Sequence, residues 1–201
     1  MEVDQMQDDI QYLKRMIENN RRSLVDNGLS YIINGLIVAI GIPIAIMIGY
    51  SGYGKFIPYM WLILIAIMIF ANIAANKKVE KKSKVKTFGS QVFSAMWGAC
   101  GISIIIIFVL SFTSVGMSEV SFYMSISGIL AIGYFLTGVI NDLKFMKVLA
   151  GLWWLNSIIS GLWPIFGTIQ YLNFFFSFMV LFLQVIPAAI IYKKWKRVNN
   201  E

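Results

Sequence analysis

Charged and uncharged segments alternate along the chain, and no Asp, Glu, Lys or Arg occurs in 28–54, 56–76, 87–118, 120–141 or 148–192. A helix needs about 20 residues to cross the hydrocarbon core of a bilayer. Each of the first four stretches therefore has room for one span, and the last has room for two. That last stretch divides at Pro164, Gly167 and Gln170, where turn formers and a polar residue interrupt the apolar run. The pattern predicts an all-α polytopic membrane protein, with six transmembrane helices over 29–50, 57–76, 91–113, 120–140, 146–166 and 171–192. One membrane domain, 28–192, is then flanked by an N-terminal segment, 1–27, and a basic tail, 193–201.

The N-terminal segment has a different period. Met6, Ile10, Leu13, Ile17 and Leu24 follow steps of four and three residues, with Asn20 filling one position. Such a stripe on a strongly charged background predicts a cytoplasmic amphipathic helix ahead of the first span. It is expected to lie on the membrane surface or on the bundle, because its heptad pattern is too short to specify a coiled coil. The acids Glu2, Asp4, Asp8, Asp9, Glu18 and Asp26 are unlike the basic start of a cleaved signal peptide, so this segment is expected to be retained.

Charge then gives direction. Lys and Arg in short loops stay on the cytoplasmic side during insertion. Lys14, Arg15, Arg21 and Arg22 precede span one, and Lys77, Lys78, Lys81, Lys82, Lys84 and Lys86 lie between spans two and three. Lys144 and Lys147 lie between spans four and five, and Lys193, Lys194, Lys196 and Arg197 follow span six. With six spans, all four groups fall on one face, and the other face holds only Lys55 and Glu119. Five or seven spans would put a basic group outside. Both termini are thus expected in the cytoplasm, in a cell (inner) membrane. Arg21, Arg22, Lys77, Lys78, Lys81, Lys82, Lys84 and Lys86 are the candidate contacts for anionic lipid. A solvated topology signal accounts for the lysine run equally well.

Composition narrows the chemistry. The chain has 201 residues, 58% of them apolar and 13% charged, with a mean hydropathy of +0.72. A net charge of +7 would suggest nucleic acid in a soluble protein, but these basic residues flank apolar spans, so lipid headgroups are the expected partner and nucleic acid is not. The single cysteine, Cys100, cannot form a disulfide or a thiolate metal site within one chain. Histidine is absent, which removes the usual general base and the commonest metal ligand. No span carries a charge for hydrolysis or proton relay. Neither catalysis nor a cofactor is expected. Asp142, after Asn141 at the end of span four, reads as a helix-end cap paired with Lys144.

Neutral polar groups are the remaining candidates for a site. Asn156 and Gln184 lie near the middle of spans five and six, where an unpaired amide is costly, so they should face protein and can hydrogen-bond each other. Asn34 and Asn72 form a second possible pair in spans one and two. Trp153 and Trp154 sit deeper than an interfacial belt and are candidate pocket aromatics, with Tyr59 and Trp61 suited to the outer belt. Ala95, Ala99 and Ser103, with Ser94 and Gly98 beside them, recur at the four-residue spacing of close helix packing. Ser127 with Ala131 and Ser157 with Gly161 repeat it. Pro43 and Pro187 each remove a backbone donor and should kink spans one and six.

The entry Gly28-Leu29-Ser30-Tyr31-Ile32-Ile33-Asn34-Gly35, the lysine-rich second loop, the amphipathic start and Asn141-Asp142-Leu143-Lys144 together resemble a group of uncharacterised bacterial six-span inner-membrane proteins. The resemblance implies the same topology and carries no established activity. The expected function is therefore that of a non-enzymatic accessory or regulatory membrane protein acting through a membrane-protein partner, a second copy or lipid. The alternative is a transport or ligand-binding subunit for a small, mostly apolar compound, although no inverted repeat is evident.

Overall fold

The computed structural model describes residues 28–80, 88–113 and 116–200, and these are entirely helical apart from turns. The predicted amphipathic helix and most of the lysine-rich loop lie outside the described residues. Six helices are long and apolar enough to cross a membrane. They are α1 (Leu29–Tyr50), α2 (Ile57–Glu80, entered through a short 3₁₀ turn, Gly54–Phe56), α3 (Phe88–Ser111), α4 (Glu119–Ile140), α5 (Lys144–Phe166) and a composite sixth. The sixth is built from α6 (Ile169–Val180), a π turn (Leu181–Val185) and α7 (Ile186–Asn200).

Local chemistry explains the helix ends. At the end of α1 the Tyr53 N–H reaches the Ile48 carbonyl and the Gly52 N–H reaches that of Gly49, with Gly52 at φ 80°. This two-bond termination needs a left-handed residue, which glycine adopts without a Cβ clash. The end of α4 uses the same device with Asp142 in the left-handed position at φ 49°, the Leu143 N–H bonding to the Gly138 carbonyl. Asp is among the few residues with a side chain that tolerate that region. Ser118 caps the start of α4 by accepting from the Ser121 N–H at 3.2 Å. Pro164 lies inside the last turn of α5, and the chain reverses at Gly167 and Thr168 instead, pinned by the Trp163 indole N–H on the Thr168 carbonyl at 2.9 Å.

The two span prolines behave differently. Helical structure runs without interruption through Pro43. Before Pro187 the sixth helix widens, and the Ile186 N–H bonds five residues back to the Leu181 carbonyl. A proline cannot supply the donor its own turn requires, so a shift to π spacing next to it absorbs the defect.

The core comes from four of the six helices. Ala39 and Ile42 of α1, Tyr123, Ala131 and Tyr134 of α4, Met146, Leu149, Ala150 and Trp153 of α5, and Leu172, Phe176, Val180 and Leu183 of the sixth helix form one buried cluster. Helices α4 and α5 share the most extensive interface, and the sixth helix bridges them to α1. Gly35 lets α1 approach the sixth helix closely, because a Cβ there would stand 2.6 Å from Val185 Cγ2. The remaining two helices are peripheral: among the described residues, α2 packs its backbone only against α1 and the turn before it, and α3 only against α4. None of the residues in the most apolar 18-residue window between Gly54 and Ala75 is buried. Side chains join α3 to the first two helices, through Trp61 with Phe108 at one end and Tyr31 with Trp97 at the other, ring centres 6.1 and 5.3 Å apart.

This arrangement corrects one expectation about small residues. Ala95, Gly98 and Ala99 of α3 are exposed, and a Cβ added at Gly98 or Gly101 meets nothing within 4 Å. The spacing permits close approach, but no helix arrives. On α4 and α5 the same spacing is used for packing: Ser127 and Ala131 are fully buried, Ser157 Oγ donates to the Met124 carbonyl at 2.8 Å, and Gly161 faces Met124.

Candidate functional site

Polar side chains inside the bundle gather on α4, α5 and the sixth helix. Asn156, mid-way along α5, is 2% exposed and donates from Nδ2 to Ser127 Oγ of α4 at 2.8 Å. Ser127 in turn donates to the Tyr123 carbonyl one turn back, at 2.7 Å. A helix carbonyl can accept this second bond beside its own, so the serine is both acceptor from the amide and donor to its own helix. Three buried polar atoms on one face of α5 have no protein partner: Trp153 Nε1, Asn156 Oδ1 and Ser160 Oγ. The residue numbers, separated by three and four, place them one above another along two helical turns.

Asn156 and Gln184 do not pair. Gln184 lies in the π turn and donates from Nε2 to the Tyr31 carbonyl of α1 at 3.1 Å. The cause is rotational: the widened turn and the approach at Gly35 aim the amide toward α1, while Asn156 faces α4. A second bond ties the same two helices together, from Ser177 Oγ to the Ala39 carbonyl at 2.7 Å. Gln184, Tyr31, Tyr134, Met146 and Pro187 border a cavity of about 10 Å³. That is about the least that can hold one water.

Asn34 and Asn72 do meet, with Asn72 Nδ2 donating to Asn34 Oδ1 and to the Met68 carbonyl, both at 2.7 Å. Trp153 and Trp154 part company, since neighbours on a helix point about 100° apart. Trp153 has no exposed surface and stacks on Tyr134, ring centres 6.4 Å apart and planes 17° from parallel. Trp154 is 40% exposed and touches Phe135. The two do not line one pocket. Nor does Asp142 pair with Lys144: its carboxylate stands 3.6 Å from Lys147 Nζ, one turn into α5. Arg21, Arg22, Lys81, Lys82, Lys84 and Lys86 lie outside the described residues, and Lys77 and Lys78 are placed as helix backbone only.

Ser127, Ser160 and the Tyr31 carbonyl belong to this polar interior without having stood out in the sequence. Ser160 carried a usable signal, four residues beyond Asn156 and seven beyond Trp153, on the same helix face. Ser127 was visible only as a small residue, and a backbone carbonyl has no signature at all. Thr137 adds a further contact, accepting from the Trp97 indole at 3.1 Å while donating to the Gly133 carbonyl. No charged group takes part in any of these bonds, and among the described residues no group of three His, Cys, Asp or Glu side chains comes together. No protein-family model, curated protein or solved structure matches the chain. What the site can do chemically is hold helices and neutral hydrogen-bonding partners.

Proposed function

We propose that this is an integral membrane protein of a bacterial cytoplasmic membrane, of the six-span type, with both termini in the cytoplasm, acting as a non-enzymatic accessory or regulatory component through lateral partners. One observation carries the reading: α2 and α3 are apolar on all sides yet each packs its backbone on a single helix neighbour. A helix with this surface is at home in lipid and unstable in water. Leaving two such helices at the rim gives the bundle a long apolar edge for another transmembrane helix, while the fully buried cluster is drawn from the other four. The lysine-rich loop joins these same two helices, so in this reading its lysines are the contacts for anionic lipid at the cytoplasmic end of that edge.

Orientation is tested by single cysteines in a Cys100→Ala background, probed with a membrane-impermeant maleimide. Cysteines at Ser51 and Gly116 should label in intact spheroplasts, and those at Asp142 and Lys196 only after permeabilisation. External labelling of Asp142 would overturn the topology. For the partner, a photoactivatable amino acid at Ile63 or Phe70, exposed on α2, should give one protein adduct of discrete mass in native membranes, either a second copy or another membrane protein. Adducts with lipid alone would remove the idea. A transport or ligand-binding role gains little from the cavity beside Pro187, because about 10 Å³ is close to the least that can hold one water.

A further inference from the structure

We infer that the interface between α4 and α5 is a binding site for water, held inside the bundle by Trp153, Asn156 and Ser160. All three side chains are closed off, at 0%, 2% and 0% exposure, and each brings one polar atom that no protein group meets. The three atoms complement one another: the indole N–H is a donor, the amide oxygen an acceptor, and the hydroxyl either. Ser127 already occupies the amide's NH₂ group at 2.8 Å, which fixes the free oxygen on the opposite side of the same side chain.

The character of the occupant follows from these groups. It must donate to Asn156 and accept from Trp153, so it carries both functions. It is uncharged, since none of these bonding groups is ionised and burying an ion here would have nothing to offset it. It is small, because the surrounding side chains exclude solvent completely. Water meets all three requirements, and buried waters commonly take up the hydrogen bonds of protein groups that would otherwise be unpaired. The alternative is three desolvated polar atoms stacked along a helix with no solvent within reach, each of them costly. Asn141 Oδ1 and Asn173 Oδ1 are also buried without a protein partner, but only α5 brings a donor, an acceptor and a hydroxyl together on one helix face among the described residues. Most other polar side chains in the interior reach protein partners, as Gln184 and Ser177 do through backbone carbonyls.

Trp153 and Trp154 form an internal pair for the test. Synchrotron X-ray pulses make hydroxyl radicals from water at the site where it is bound, and the protein in lipid nanodiscs keeps bulk water away from both rings. Trp153 should gain oxygen several-fold faster than its exposed neighbour Trp154, although it has no accessible surface. Oxidation of Trp153 at or below the rate of Trp154 would overturn the site. Ser160→Ala supplies the second measurement and removes little volume. If the hydroxyl holds water, the variant should unfold at a midpoint lowered by at least roughly 2 °C. An unchanged or raised midpoint would mean that the hydroxyl is merely desolvated, and would equally overturn the inference.

Discussion

Asn72 Nδ2 lies 2.7 Å from Asn34 Oδ1, a side-chain hydrogen bond that ties α1 to α2. The amide also donates to its own helix at Met68, so Asn72 is fixed from two directions. Hydrogen bonds between transmembrane helices are worth roughly 0.6 kcal/mol on average and up to about 1.7. Asn72→Leu and Asn34→Leu should each lower stability by an amount in that range, measured by unfolding in mixed micelles. In the double variant the losses should fall short of their sum, since either change alone removes the shared bond.

Gly35 and Gly98 set a second comparison. A methyl group at Gly35 would meet Val185 Cγ2 at 2.6 Å and the Gln184 amide at 3.3 Å, whereas one at Gly98 meets nothing. Gly35→Ala should cost about 1–3 kcal/mol through overpacking, and it should weaken the Gln184 bond to the Tyr31 carbonyl as well. Gly98→Ala should be neutral or stabilising, because it adds helix propensity without a clash. Thermal midpoints of the two variants, measured in one detergent, decide the matter.

The tryptophan neighbours on α5 should respond unequally to truncation. Trp153 is enclosed by Tyr134 and Phe176, and Trp154 is on the outer face. Trp153→Ala should cost about 3–5 kcal/mol. Trp154→Ala should cost much less, and a loss equal to that of Trp153→Ala would contradict the packing described for α5.

Asp142 offers a test of backbone against charge. Its side chain is 76% exposed, so the contact with Lys147 at 3.6 Å is solvent-screened and worth between about 0 and 1 kcal/mol. The left-handed backbone at φ 49° is the stronger constraint. Asp142→Asn should therefore leave the fold nearly unchanged, while Asp142→Val should cost roughly 1–2 kcal/mol through strain. Circular dichroism melts of the two proteins separate these causes.

Much of the architecture can be read from charge and length alone. Uncharged stretches of helix-spanning length mark six apolar helices because a charge inside one would be expensive. The meeting of Asn34 and Asn72 is also legible, as neighbouring antiparallel helices bring two amides near one end to similar height. The interior of the second half is harder. Asn156 and Gln184 occupy similar heights on adjacent helices, yet rotation about each axis sends one to Ser127 and the other to a carbonyl of α1. Local spacing carries no information on that rotation, which depends on the π turn before Pro187. The stripe at Ala95 and Ala99 shows the same gap from the other side: small residues allow a neighbour, but only the whole bundle decides whether one comes.

The bonds from Gln184 to the Tyr31 carbonyl and from Ser177 to the Ala39 carbonyl join residues 153 and 138 positions apart. During synthesis at about 5–20 residues per second, the first helix therefore waits roughly 8–30 s before the residues that fasten it have been made. The hairpin of α4 and α5, by contrast, closes across a turn of three residues and is complete earlier. Until the last helix arrives, α1 has its backbone packed, among the described residues, only on α2 and the turn before it, and it touches α3 and α4 through the rings of Tyr31, Trp97 and Tyr134. The nascent chain therefore passes through a stage in which the face of α1 that the sixth helix will cover is open to chaperones, to the insertion machinery or to a partner.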